Sequence, residues 1–105
     1  MARVRLALEA RQDFDDIIDY LGRMAGSRVA VRYADLVVAA IERLADFPGI
    51  GTPRLDLGPA ARCLVLHPYL LVYDGDQDSE EVCVLRILHG SRDISAEIIR
   101  RGRSI

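Results

Sequence analysis

The sequence predicts an α+β protein in two layers, a helical hairpin on one face of a mainly antiparallel four-stranded sheet. The order is β-α-α-β-β-β with a short C-terminal element. Three observations predict it. Apolar residues alternate with charges at the N-terminus. Two long amphipathic segments follow, separated by a single glycine. After a proline and glycine block come three short β-rich runs with short connections.

Val4, Leu6 and Leu8 alternate with Arg3, Arg5 and Ala7, so residues 3–8 read as a half-exposed strand. From about Glu9 the period changes. Ala10, Phe14, Ile17, Leu21 and Met24 fall on one helical face, opposite Arg11, Asp15, Asp16, Asp19 and Arg23. Gly26 is expected to end this helix and Ser27 to cap the next. The second helix is expected from about Ser27 to Phe47. Its main stripe is Ala30, Ala34, Val37, Val38, Ile41, Leu44 and Ala45, and Tyr33, Leu36, Ala40 and Phe47 widen the apolar arc on one flank. Pro48-Gly49-Ile50-Gly51-Thr52-Pro53 stops the helix, and a loop runs on to about Pro59.

Three strands are expected after that loop: Arg62 to Leu66, Tyr69 to Asp74 and Val82 to His89, turning at His67-Pro68 and at the acidic 75–80 loop. Short connections make them antiparallel neighbours. In the last strand, strict alternation puts Val82, Val84, Arg86 and Leu88 on one face and Cys83, Leu85, Ile87 and His89 on the other. Asp93 to Arg101 reads as a short helix or a tail.

At 105 residues one core suffices, so residues 1–105 are expected to form a single domain. The net charge of -2 argues against a uniformly basic nucleic-acid binder. All 14 basic side chains are arginine, the cation suited to bidentate recognition of carboxylate or phosphate. Cys63 and Cys83 sit in apolar runs without metal spacing and are expected as free thiols. No metal or cofactor is expected. Met1-Ala2-Arg3-Val4-Arg5 lacks a signal-peptide core, and no apolar run is long enough to span a bilayer, so a cytoplasmic protein without membrane contact is expected.

Chemistry-bearing motifs are few. The 74–85 loop has Ser79 and Leu85 where a calcium loop needs Gly and Glu. Gly49-Ile50-Gly51 is too short for a phosphate loop, and Ser91 near His89 has no elbow around it. No catalytic set is assigned. The notable group is Arg62, Arg86, His89 and Arg92 near one sheet. Such cations suit a phosphodiester or an acidic protein surface. Equally, they are what an outward-facing strand and a turn-capping histidine look like.

The stretch Val82-Cys83-Val84-Leu85-Arg86-Ile87-Leu88-His89-Gly90-Ser91-Arg92-Asp93-Ile94 resembles the last strand and following signature of ParE-type toxins of the ParE/RelE toxin–antitoxin superfamily. Arg62-Cys63-Leu64 with Tyr69 and Tyr73 resembles that family's hairpin. Ala10, Asp13-Phe14, Ile17 and Tyr20-Leu21 resemble its first helix, and Phe47-Pro48 with Gly51-Thr52-Pro53-Arg54 its post-helix loop. The resemblance spans nearly the whole chain.

It implies a toxin that inhibits DNA gyrase, neutralised in a hetero-oligomer by a cognate ParD-like antitoxin, with DNA contacted only through the antitoxin. Related RelE toxins are ribosome-dependent mRNA nucleases that use sheet cations with a C-terminal tyrosine. Here the last tyrosine is Tyr73, lysine is absent and the net charge is negative, so the expectation is a gyrase inhibitor rather than a nuclease. A toxin-derived protein that has lost toxicity is the other alternative. Target-contact candidates are Arg62, Arg86, His89 and Arg92 with Arg100, Arg101 and Arg103 of the tail. Antitoxin-contact candidates are Tyr33, Leu36 and Ala40 on the flank of the second helix.

Overall fold

A computed structural model describes residues 1–92 and 94–103, apart from the side chains of residues 97 and 101–103. Strand β1 (Arg3–Leu6) leads into helix α1 (Leu8–Ala25) and helix α2 (Ser27–Asp46). Then come β2 (Thr52–Pro53), a 3-10 turn at Leu55–Leu57, β3 (Ala61–Leu66), β4 (Tyr69–Asp74), β5 (Glu81–His89) and helix α3 (Ala96–Arg103). The sheet order is β1-β5-β4-β3-β2, with β1 parallel to β5 and every other pair antiparallel.

The α+β class holds, with one strand more than expected. Thr52 and Pro53 pair with Cys63 and Arg62, turning part of the proline-rich loop into a fifth, two-residue edge strand. Proline is tolerated there because an edge strand need not donate on its outer side. The first strand is shorter than its alternation suggested. Leu8 starts α1 and is exposed, whereas Ala7 is buried where the chain turns from sheet to helix.

Gly26 performs both jobs divided between Gly26 and Ser27 in the sequence reading. Its φ of 94° ends α1, its N–H reaches the Gly22 carbonyl at 3.2 Å, and it is the N-cap of α2. Ser27 is already the first helical residue, and no side chain caps α2.

The buried seam of α2 is Ala30, Tyr33, Val37, Ala40 and Leu44. This spacing of three and four is a tighter stripe than the expected one, rotated toward Tyr33. Val38, assigned inward, is exposed, and Ala40, assigned to a partner-facing flank, is 1% exposed. Burying Val37 and Leu44 contributes roughly 1.5–3 kcal/mol each. They meet Leu71, Tyr73, Val82, Val84 and Ile87 of the sheet together with Ala10 and Ile17 of α1.

Strict alternation fails in β5. Arg86 pairs with Val72, but the next rung joins Tyr73 to Val84, leaving Leu85 as a bulged residue. One extra residue resets the pleat. Val82, Val84 and Ile87 therefore all face the helical hairpin, whereas Leu85 joins Leu57, Ala61, Cys63 and Val72 in a smaller cluster on the far face. Ile99 of α3 completes that cluster, so the C-terminal element is a helix that covers the far face.

Candidate functional site

The sheet arginines are engaged inside the molecule. Arg62 sends Nη1 to the carbonyls of Gly49 (3.1 Å) and Gly51 (2.8 Å) and Nε to that of Gly75 (3.2 Å). Arg86 donates Nε and Nη2 to the two carboxylate oxygens of Asp13 of α1, at 2.6 and 2.9 Å. The same Asp13 also accepts from the Ile87 N–H at 3.0 Å. Arg86 is raised above its ordinary pKa, first by this hydrogen bonding, with burial opposing it and the charges of Asp13 and Glu9 adding to it.

The four residues considered together in the sequence are thus not one constellation. Arg62 is bound to loop carbonyls at one end of the sheet, and Arg86 is bound to α1. His89 lies at the other end of β5, and Arg92 is exposed just beyond it. Arg100 is exposed on α3, and the side chains of Arg101 and Arg103 lie outside the described residues.

His89 belongs to a different assembly. Its ring packs edge-on against Tyr69 at 5.4 Å between centroids, and Tyr69 packs edge-on against Tyr33 at 5.2 Å. The Ser91 N–H donates to His89 Nδ1 at 3.1 Å, and Ser91 Oγ lies 2.7 Å from the same nitrogen. A backbone N–H can only donate, so the neutral ring carries its proton on Nε2. Tyr33 donates to the Leu66 carbonyl at 3.2 Å. Burial pushes the Tyr33 and Tyr69 phenols up, so both stay protonated at neutral pH.

These rings wall a groove of about 400 Å³. Tyr20 and Leu21 of α1, Val29, Arg32 and Leu36 of α2, and Pro68 at the β3–β4 turn complete it. Its walls are mainly apolar, with Arg32 and His89 as its cationic and polar members. Of the three residues proposed on the α2 flank, Tyr33 and Leu36 line the groove and Leu36 is 50% exposed, whereas Ala40 lies in the core. Sequence reasoning missed Tyr20, Leu21, Val29, Arg32, Pro68 and Tyr69. The available signal was Tyr20 and Val29 flanking the Gly26 turn, at the same end of the hairpin as Tyr33.

Cys63 and Cys83 are free, and burial pushes both thiols up, so neither is poised as a nucleophile. Among the described residues no group of His, Cys, Asp or Glu is placed to hold a metal, and no helix is long and apolar enough to cross a membrane.

Residues 4–94 match the family model described as ParE toxin of type II toxin-antitoxin system, parDE. The chain belongs to the ParE toxin family. Among curated ParE relatives, Toxin ParE1 of Caulobacter vibrioides is 31% identical over 98 residues, covering 93% of this chain and 99% of that protein. Toxin ParE3 of the same organism is 29% identical over 98 residues, covering 93% and 96%. A solved structure titled Chromosomal ParDE TA system from P. aeruginosa superposes with a TM-score of 0.68 at 23% identity. It covers 85% of this chain and 96% of that one, a likeness of fold. ParE membership makes this chain a toxin-family component of a type II system and directs attention to surfaces where another protein can lie.

Proposed function

We propose that this ParE-family protein is a cytoplasmic toxin that inhibits DNA gyrase by binding it, and that a cognate ParD-like antitoxin silences it in a hetero-oligomer. The observation that carries the antitoxin part is the groove between the helical hairpin and the β3–β4 turn, where Leu36 stands exposed beside Tyr20 and Tyr69. An open apolar groove beside two helices suits an amphipathic segment that lays its apolar side inward. Arg32 and His89 favour carboxylates or carbonyls at its edge.

Binding is favoured over RNA cleavage by how the sheet arginines are used. A nuclease needs cations available to a phosphodiester. Arg62 spends its donors on Gly49, Gly51 and Gly75, and Arg86 spends its on Asp13. For target contact we propose the exposed Arg92, with the arginines at 100, 101 and 103 that the sequence reading named.

The test is DNA supercoiling by purified gyrase with increasing toxin, then with added antitoxin. Inhibition that the antitoxin reverses is expected. Leu36→Asp should leave inhibition intact and make the antitoxin a poorer rescuer. Intact gyrase activity beside ribosome-dependent mRNA cleavage would replace this reading with the nuclease one. A folded protein without toxicity in either assay would point to a toxin-derived binder.

A further inference from the structure

The loop between α2 and β2 has a fixed backbone and bare apolar side chains. Tyr73, 0% exposed, donates its hydroxyl proton to the Pro48 carbonyl at 2.8 Å and accepts the Gly51 N–H at 2.8 Å. Arg62 holds the carbonyls of Gly49 and Gly51 and, with the same guanidinium, that of Gly75 in the β4–β5 loop. Gly49 lies against that second loop so closely that a Cβ on it would stand 3.1 Å from the Gln77 nitrogen. The buried Tyr73 and the partly buried Arg62 thus weld two loops together. Yet Phe47 is 64% exposed and Ile50 is 40% exposed on the welded unit.

These two side chains border a hollow of about 490 Å³, with Asp46 and Gln77 also on its wall. An adjoining hollow shares Asp46 and Gln77 and adds Asp78 and Glu80. No arginine side chain lines either hollow among the described residues. The result is an apolar knuckle with a carboxylate rim. An exposed aromatic beside a backbone already held by hydrogen bonds leaves less to order when a partner covers it, which favours a binding hot spot. The knuckle lies away from the groove: β4 runs from Tyr69, opposite His89, to Asp74, opposite Cys83, and the two sites sit at opposite ends of it.

We infer that the Phe47–Ile50 knuckle is a second docking surface, for a basic protein segment that presents apolar side chains flanked by arginine or lysine. The carboxylates of Asp46, Asp78 and Glu80 select the flanking charge, and Phe47 and Ile50 receive the apolar residues. This assignment is independent of whether gyrase is the target.

The probes are three short synthetic peptides: central leucines flanked by arginines, the same leucines flanked by glutamates, and central serines flanked by arginines. Each is titrated into the 15N-labelled full chain while backbone amide shifts are followed. The arginine–leucine peptide should move the amides of Phe47, Ile50 and Gln77, and the other two should bind at least about tenfold more weakly. Phe47→Ser, or Ile50→Ser as a second exposed-site variant, should weaken binding about tenfold with the rest of the spectrum preserved. Asp78→Asn with Glu80→Gln should weaken it severalfold and flatten its salt dependence. No binding, equal binding of the glutamate peptide, or shifts centred on Leu36 and Tyr69 would overturn the assignment. Concentration-dependent shifts at Phe47 without peptide would also overturn it, in favour of a second copy of this chain.

Discussion

Replacing Asp13 with alanine should be among the most damaging single changes in the protein. Its carboxylate is 13% exposed and its partner Arg86 15% exposed. Removing it strands the guanidinium and also the Ile87 N–H that Asp13 accepts. Breaking a fully buried pair from one side costs about 3–5 kcal/mol, an upper bound for this partly buried one. An orphaned N–H alone costs about 1–3 kcal/mol, and the two penalties overlap because one carboxylate serves both groups. A loss of about 2–4 kcal/mol is therefore expected, a sizeable part of the roughly 5–15 kcal/mol that holds a domain together. Urea unfolding measures it, with the slope checked so that a midpoint shift reads as stability. Adding Arg86→Met to Asp13→Ala should recover much of the loss, because the unpaired, partly buried cation is then gone. Arg86 also reaches the Ile98 carbonyl at 3.5 Å, so amide exchange at Ile99 of α3 should accelerate in the single variant. A cost below about 1 kcal/mol, or a double variant no better than the single one, would refute this account of the pair.

The loop weld and the interhelical turn yield further expectations. Tyr73→Phe leaves the Pro48 carbonyl and the Gly51 N–H without their partner and should cost about 2–4 kcal/mol in urea unfolding. Gly51→Ala would put a Cβ 2.8 Å from the Tyr73 ring and 2.9 Å from the Cys63 carbonyl, so a loss of about 1–3 kcal/mol is expected. Gly26→Ala has open space for its methyl but a φ of 94°. It should therefore cost about 1 kcal/mol through backbone strain alone, read as a lowered unfolding midpoint.

Both helices and the three main strands could be read from the sequence because their signals are periodic and local. The β3–β4–β5 order followed from connections too short for a crossover. What could not be read depends on partners distant in the chain. Asp13 and Arg86 are 73 positions apart, and nothing local marks either as paired. The bulge at Leu85 is silent because the sequence there still alternates plausibly; only the β4 register reveals the added residue. Arg62 looks like a surface cation until the Gly49, Gly51 and Gly75 carbonyls close around it. The glycines were a signal in their own right: Gly49-Ile50-Gly51, too short for a phosphate loop, fits a segment that must approach Tyr73 and Gln77 closely. Ala40 went astray through helix phase. A methyl is small enough to fit either a flank or a tight seam, and the rotation set by Tyr33 reaching Leu66 put it in the seam.

The internal use of Arg62 and Arg86 changes how their variants should be interpreted. In a nuclease, replacing a sheet arginine removes chemistry and leaves the fold. Here the same replacement releases the welded loops or strands Asp13, so any loss of toxicity should track loss of stability. Surface changes at Leu36, Phe47 or Arg92 carry the opposite expectation, altered binding at unchanged stability, because each is exposed. The two classes separate on one plot of activity against unfolding free energy. If Arg62 and Arg86 variants fall on the same line as unrelated destabilised cores such as Leu44→Ala, the protein acts through its surfaces. If they fall well below that line, the sheet arginines take part in the toxic step directly.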